Sequence, residues 1–209
     1  MTKSDTKPHK SLDSIDSTKE RLLLTAEQLF SQKGLSGVSV REIGSAVGVA
    51  NSTLLYYFPS KEALYKEVLK RIATSIQTIT EDLTEELGND EKQVEIMVER
   101  LIDWTHSNAE YNQIIMREIM ENSERMSGER HMYLSEVIEM MKKPLERLKE
   151  KGTMPSIDPT LFLFQIIGSV SYMLIALPTI RQMIGKQDYE SMKEKHKQTL
   201  IEVVRKTIK

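Results

Sequence analysis

Residues Val40–Phe58 read VREIGSAVGVANSTLLYYF, a stretch with glycines at positions 44 and 48 and regularly spaced apolar residues. Ser39 precedes it, and Glu42 follows Ser39 by three residues, a capping box that predicts the start of a short helix. Gly48 breaks that helix, and a second short helix is predicted over residues 51–57. The stretch therefore predicts two short helices joined by a tight turn.

The glycines and apolar residues of this stretch are spaced for close packing of the two helices. Gly44 supplies a small residue at the predicted contact, and Gly48 lies at the turn four residues later. Apolar residues would hold both helices against a third one: Ile43, Val47, Val49 and Leu54. This combination predicts a helix-turn-helix.

Helices are predicted on both sides of this pair. Ser17 or Thr18 predicts the start of the preceding helix, and Gly34 predicts its end. Ser60 predicts the N-cap of the following helix. One apolar face of the preceding helix provides the third packing partner: Leu22, Ala26, Leu29 and Phe30.

The second helix of a helix-turn-helix places its N-terminal end in the major groove of DNA. We therefore expect the residues at that end to contact bases: Ala50, Asn51, Ser52 and Thr53. Asn51 can pair bidentately with adenine, although an exposed asparagine at a helix start is also common without such a role. Flanking hydroxyl and cationic groups are expected to contact phosphates: Ser39, Arg41, Tyr56, Tyr57 and Lys61.

Residues 18–64 resemble the DNA-binding domain of the tetracycline-repressor (TetR) family. Under a quarter of the chain carries the resemblance. The matching motifs are Thr25-Ala26, Leu29-Phe30, Gly34, Val40-Arg41-Glu42-Ile43, Gly48-Val49, Thr53-Leu54, Tyr56-Tyr57-Phe58 and Ser60-Lys61-Glu62-Ala63-Leu64.

The resemblance implies an all-helical homodimer whose variable C-terminal domain binds a small molecule and thereby switches off DNA binding. Two residues depart from the family pattern. Ala50 stands where the family usually has a capping serine, and Leu55 stands where a tyrosine is common. We expect a poorer cap on the second helix and one phosphate contact fewer.

Composition narrows the function classes. The chain of 209 residues has 29 basic and 31 acidic side chains, a balance that excludes a polycation coating nucleic acid non-specifically. Residues 17–61 carry five basic and three acidic side chains, so the predicted DNA-binding segment is mildly basic within an acidic chain. The absence of cysteine excludes disulfides, thiolate metal sites and a cysteine nucleophile. No charged segment followed by an apolar run opens the chain, which favours a cytoplasmic protein.

The remainder alternates amphipathic helices with short polar breaks, giving an all-α fold of about nine helices. We divide it into a disordered tail (1–16), a DNA-binding domain (17–62) and a ligand-binding and dimerisation domain (63–209). Asp158 followed by Pro159 strongly predicts a helix start.

The segment Leu161–Leu177 is apolar almost all round, too short to span a membrane, and closed by Pro178 and Arg181. A helix apolar on every side must be buried on every side. We expect this helix and the last one to form a dimer interface, with an entirely internal core helix as the alternative. The expected interface residues are Phe164, Ile167, Gly168, Ser171, Ile175, Leu200, Val203 and Val204.

Eleven of the twelve methionines follow residue 96, and methionine suits surfaces that adapt to apolar ligands. A helical core explains most of them without any ligand. As candidate lining of an effector pocket we take Trp104, Met116, Met120, Tyr133, Met140 and Met173.

Enzymatic activity has no support in this sequence. A Gly-rich phosphate loop, a nucleophile elbow and a Walker motif are all missing. The histidines lack metal-ligand spacing, so no metal or other cofactor is expected: His9, His106, His131 and His196.

The sequence thus predicts a homodimeric, non-enzymatic regulator that binds a palindromic double-stranded DNA operator. It is expected to act as a repressor that a small apolar or amphipathic effector releases. The alternative is a DNA-binding regulator whose C-terminal domain only dimerises or docks a protein partner.

Overall fold

The computed structural model describes residues 12–81, 90–121, 129–154 and 157–208. Within these ranges every regular element is an α-helix, which confirms the predicted all-α class. The nine helices of the described ranges are α1 (Leu12–Lys33), α2 (Val40–Val47), α3 (Asn51–Tyr57), α4 (Lys61–Glu81), α5 (Asp90–Ser107), α6 (Ala109–Glu121), α7 (Glu129–Glu150), α8 (Pro159–Ile184) and α9 (Lys186–Thr207).

The chain divides into two compact units, Met1–Val68 and Leu69–Lys209. Helix α1 begins at Leu12, five residues before the predicted cap at Ser17. Residues 12–16 lack regularly spaced apolar residues in the sequence, so hydrophobic periodicity could not predict this part of the helix. The rest of the predicted tail, residues 1–11, lies outside the described residues.

The N-terminal unit packs α1, α2, α3 and the start of α4 around one apolar core. The Phe30 and Tyr65 rings meet edge to face, with centroids 5.0 Å apart. Large side chains from all four helices are buried beside them: Leu22, Ile43, Leu54, Phe58, Leu64 and Val68. The predicted helix-turn-helix therefore rests on α1 and α4 through its apolar residues.

The helix boundaries in this unit follow from local hydrogen bonds. The Glu42 amide donates to Ser39 Oγ, which confirms the predicted N-cap of α2. The Ala63 amide likewise donates to Ser60 Oγ at the start of α4. Helix α1 ends where predicted, and the amide of Gly34 donates to the Phe30 carbonyl.

Helix α5 is central to the C-terminal unit and packs against α6, α7, α8 and α9. Its buried residues include Val94, Met97, Val98, Leu101 and Ile102. The facing core residues come from every neighbour: Ile114, Val137, Met141, Leu145, Phe162, Leu163, Ile166, Val170, Val204 and Ile208.

Ion pairs connect α5 to α7 and the residue that follows it, and to α9, at the surface of the unit. The Asp90 carboxylate pairs with Lys151, and Arg147 Nε lies 3.2 Å from its Oδ1. Hydrogen bonds from Lys151 and Arg147 hold the pKa of Asp90 below its usual value. On the side of α9, Lys197 pairs with Asp103 at 2.6 Å. Because these pairs are partly exposed, each contributes up to about 1 kcal/mol.

Helix α8 begins as predicted but ends later. The amides of Thr160 and Leu161 donate to Asp158 Oδ1 at 2.9 and 3.0 Å. The helix then runs to Ile184, so the predicted end at Pro178 and Arg181 was wrong. A proline removes one hydrogen bond and can kink a helix without ending it.

An 18-residue stretch of α8, Pro159–Ala176, is long and apolar enough to cross a membrane by length and composition alone, so the prediction that this segment is too short to do so was wrong. A core helix of a soluble protein passes the same test. Here Phe162, Leu163, Ile166 and Val170 are buried against the neighbouring helices of the unit. The apolar side chains on this buried side of α8 therefore belong to the core of the C-terminal unit.

Candidate DNA-binding site

The turn between α2 and α3 depends on two glycines. A Cβ on Gly44 would lie 3.1 Å from the Val49 carbonyl oxygen, so the backbone approaches α2 more closely there than a side chain readily permits. Gly48 caps α2 in the left-handed conformation with φ of 78°, which glycine adopts without strain. The Val49 amide then donates to the Gly44 carbonyl at 2.8 Å.

Helix α2 is also tied to α1 by charged side chains. Arg21 Nη2 donates to the Val47 carbonyl at 2.8 Å and thereby satisfies an acceptor at the C-terminal end of α2. Lys33 pairs with Glu42 and holds the pKa of that carboxyl below its usual value. This role of Arg21 was not predictable from local sequence patterns, because its acceptor lies 26 residues away in the chain.

The exposed face of α3 carries most of the predicted base-contacting residues. Ala50, Asn51 and Ser52 are exposed, whereas Thr53 is half-buried. Ala50 makes no side-chain cap hydrogen bond, as expected from the missing serine. Asn51 Oδ1 lies 3.4 Å from the position a Cβ on Gly44 would occupy, so its carboxamide rests beside α2.

The two predicted tyrosines differ in exposure. Tyr56 is 79% exposed, and Tyr57 is half-buried. Their rings meet edge to face with centroids 5.3 Å apart. The hydroxyl of an exposed tyrosine can donate to a phosphate, so Tyr56 remains the better placed of the two for the predicted contact.

The predicted phosphate residues at the start of α2 lie on the surface. Arg41 is exposed, as is Ser39, whose Oγ accepts the Glu42 amide and keeps its own hydrogen free to donate. The predicted contacts of both residues with phosphate stay predictions.

Lys61 makes two hydrogen bonds within the chain that the sequence did not predict, and its predicted phosphate contact stays a prediction. Its ammonium donates to the Leu35 carbonyl at 2.8 Å and to the Val38 carbonyl at 2.9 Å. It thus ties the start of α4 to the segment between α1 and α2. Since two of its three hydrogens are taken, a phosphate contact would have to use the third or break one of these bonds.

Comparison with known proteins places this site in a family. A family model described as "Bacterial regulatory proteins, tetR family" matches residues 22–68. A second, "Tetracyclin repressor-like, C-terminal domain", matches residues 91–204, more than half of the chain. The chain belongs to the TetR family. It is therefore a DNA-binding transcriptional regulator with an N-terminal helix-turn-helix domain, as the resemblance implied.

Individual relatives fit this assignment. The HTH-type transcriptional regulator RutR of Escherichia coli K12 is 45% identical over 58 residues, 28% of this chain and 27% of its own length. The chain thus spans about a quarter of RutR. The probable regulator YttP of Bacillus subtilis is 26% identical over 153 residues, 66% of this chain and 70% of its own.

Solved structures share the fold at low sequence identity. The ketosteroid transcriptional regulator KstR2 of Mycobacterium tuberculosis has a TM-score of 0.68 and 18% identity. The similarity covers 88% of this chain and 92% of KstR2.

The C-terminal unit of this TetR-family protein holds the residues predicted to line an effector pocket. Trp104 is half-buried, and its Nε1 donates to Ser75 Oγ at 2.9 Å. Met116, Met140 and Met173 are half-buried on α6, α7 and α8.

The other two predicted pocket residues are not among these half-buried side chains. Met120 is mostly exposed at the end of α6, which speaks against a lining role within this chain. The side chain of Tyr133 on α7 lies outside the described residues.

The predicted interface residues fall into two groups. The first group reaches the surface of the chain at least in part. Its exposed members are Phe164, Gly168 and Ile175 on α8 and Val203 on α9, and its half-buried members are Ile167 on α8 and Leu200 on α9. Ser171 and Val204, in contrast, are buried within the chain itself. Their assignment to an interface was wrong. Helix α8 is apolar almost all round and so has no polar side to show which face points outward, and on α9 the adjacent residues Val203 and Val204 gave no signal of which one faces the core.

Within the described residues, His, Asp and Glu side chains form no group of three that could hold a metal ion.

The hydrogen bonds of Lys61 generate a prediction that separates a structural role from a phosphate contact. Lys61→Ala should lower the free energy of unfolding by about 1–3 kcal/mol, because two carbonyl oxygens lose a charged donor. Urea denaturation followed by circular dichroism measures this change.

Arg41→Ala is the matched comparison, because Arg41 is exposed beside the same site. It should change the free energy of unfolding by no more than about 0.5 kcal/mol. It should reduce the salt dependence of DNA binding by about one unit per subunit. A Lys61→Ala variant with unchanged stability and a reduced salt slope would support the phosphate role.

Proposed function

We propose that this TetR-family regulator is a cytoplasmic homodimeric repressor that a small apolar or amphipathic molecule releases from its operator. The observation that carries the proposal is the exposed end of α3, formed by Ala50, Asn51 and Ser52 and held against α2 at Gly44. Each subunit would insert this end into one major groove. Two such helices must lie about 34–36 Å apart, or a multiple of that, to read successive grooves of a palindromic site.

An exposed apolar stripe on α8 supports the homodimer. Leu161, Phe164, Gly168, Tyr172 and Ile175 are exposed and recur at the spacing of a single helix face. Single exposed apolar residues are ordinary, whereas a continuous stripe of this length marks an interaction surface. A second copy of the chain would cover the stripe, with Val203 of α9 beside it.

A buried polar pair supports an effector site in the C-terminal unit. Ser171 Oγ donates to Asn112 Oδ1 at 2.9 Å, and both residues are buried between α6 and α8. Asn112 Nδ2 is buried and has no hydrogen-bond partner among the residues that the structure describes. An unsatisfied buried donor costs about 1–3 kcal/mol, and a ligand carrying a carbonyl or carboxylate oxygen would supply its acceptor.

The effector would release the protein from its operator by binding one of two conformations more tightly than the other. A coupling of about 1–3 kcal/mol weakens operator binding roughly 5–150-fold. Helix α4 contains residues of both compact units, so it is the covalent route by which such a change would reach the helix-turn-helix.

Gly168→Leu tests the proposed dimer. A Cβ at Gly168 meets no atom within 4 Å, so the chain itself has room for a larger side chain. Leucine also favours a helix over glycine by roughly 0.5–1 kcal/mol. The variant should fold with undiminished helix content yet sediment as a monomer, because the added side chain meets the partner.

Glu136→Leu is the control, since it places the same side chain at an exposed position of α7. It should remain a dimer. A Gly168→Leu protein that still sediments as a dimer would move the interface away from this stripe.

Operator binding and its release test the proposed function itself. We expect competitor-resistant binding to DNA from the protein's own upstream region, measured by anisotropy at fixed salt. A panel of fatty acids and sterols should contain one class that releases it. Binding that no compound releases would favour the alternative in which the C-terminal domain docks a protein partner.

The double variant Asn112→Leu/Ser171→Ala tests whether the buried polar pair binds the effector. It removes both polar groups with little change in volume, so operator affinity should stay at the wild-type level. The releasing compound should be needed at about tenfold higher concentration, since one hydrogen bond to it is lost. An unchanged concentration would remove Asn112 from the effector site.

A further inference from the structure

We propose that Leu55 determines operator specificity by contacting the C5-methyl group of one thymine in each half-site. The inference rests on the proposed use of α3 as the helix that enters the major groove. It goes beyond that proposal because it assigns a base and an atom to a residue with no hydrogen-bonding group.

The two consecutive leucines of α3 have opposite environments. Leu54 is fully buried in the core of the N-terminal unit, whereas Leu55 is 44% exposed. Nearly half of the Leu55 surface is therefore left uncovered by the rest of the unit. Its side chain is available to a molecule that approaches the helix from outside.

The position of Leu55 places it among the expected base-contacting residues. Asn51 and Ser52 precede it by four and three residues, the spacings that put helical side chains on one face, and both are exposed. Tyr56, directly after it, is the most exposed aromatic residue of the helix. Leu55 and Ala50 are thus the apolar residues of an otherwise polar exposed surface, and Leu55 has the longer side chain of the two.

The chemistry of the major groove selects one target for such a side chain. Guanine, adenine and cytosine present hydrogen-bond donors and acceptors there, whereas thymine adds an apolar methyl group. Leucine cannot replace the hydrogen bonds that water makes to donors and acceptors. Contact with the methyl group instead removes apolar surface of both partners from water.

The dimensions of helix and duplex fix which base pair is within reach. A helix rises about 1.5 Å per residue, so Leu55 lies about 4.5 Å along the axis from Ser52 and about 6 Å from Asn51. Base pairs are about 3.4 Å apart. Leu55 should therefore contact a thymine one or two base pairs from the position that Asn51 and Ser52 address.

Single replacement of thymine by deoxyuridine tests the proposal, because it removes the methyl group and leaves base pairing unchanged. The operator is first obtained by selection from random duplex DNA, and each thymine of a half-site is then replaced in turn. At one position the replacement should weaken wild-type binding about fourfold, the effect of roughly one methylene equivalent of buried apolar surface.

Leu55→Ala should bind the thymine and deoxyuridine operators equally well at that position. Leu24→Ala is the matched control, since Leu24 is an equally exposed leucine (45%) on α1 of the same unit. It should keep the fourfold difference. Thermal unfolding of Leu55→Ala should match wild type, since an exposed side chain is lost.

Three results would overturn the proposal: wild-type binding that is insensitive to every replacement, a half-site without thymine, or sensitivity that persists in Leu55→Ala. Failure of the selection to yield any operator would instead count against the proposed function. The two failures are therefore distinguishable.

Discussion

The close approach of two backbones at Gly44 is the constraint on which the DNA-binding unit depends. The Val49 carbonyl oxygen lies 3.1 Å from where a side chain on Gly44 would begin. That contact allows α3 to cross α2 directly after the turn at Gly48. The exposed end of α3 takes its position from this crossing.

Other interactions in the unit hold this crossing in place. Leu54 and Phe58 bury one side of α3, and this leaves Leu55 and Tyr56 on the outside. Arg21 satisfies the end of α2, and Lys61 ties α4 to the segment before α2. Lys61, a cation that the sequence suggests for a phosphate contact, thus also holds the unit together internally.

The C-terminal unit divides its apolar surface in a comparable way. One side of α8 packs with α5, α6, α7 and α9 through residues such as Leu163 and Val170. The opposite side exposes Phe164, Tyr172 and Ile175. The polar pair of Asn112 and Ser171 interrupts the packed side. In our account the exposed side meets a second subunit and the polar pair meets the effector.

Local signals made the N-terminal unit predictable from sequence. Ser39, Gly48 and Ser60 act within four residues of their own positions, so capping and turn rules located the helices correctly. The bonds of Lys61 were missed because their acceptors lie 23 and 26 residues away in the chain. Ser171 and Val204 were misassigned because apolar periodicity cannot distinguish a core face from an interface face.

Operator binding by a Gly44→Val variant would show whether the contact at Gly44 positions α3. The added carbons would enter the space occupied by the Val49 carbonyl, so α3 should shift while the C-terminal unit and the proposed dimer stay intact. Ala46→Val, at an exposed position of the same helix, is the control. Our account predicts at least a tenfold loss of specific affinity for Gly44→Val, with non-specific binding and dimerisation preserved. Wild-type affinity in that variant would show that the position of α3 does not depend on the contact at Gly44.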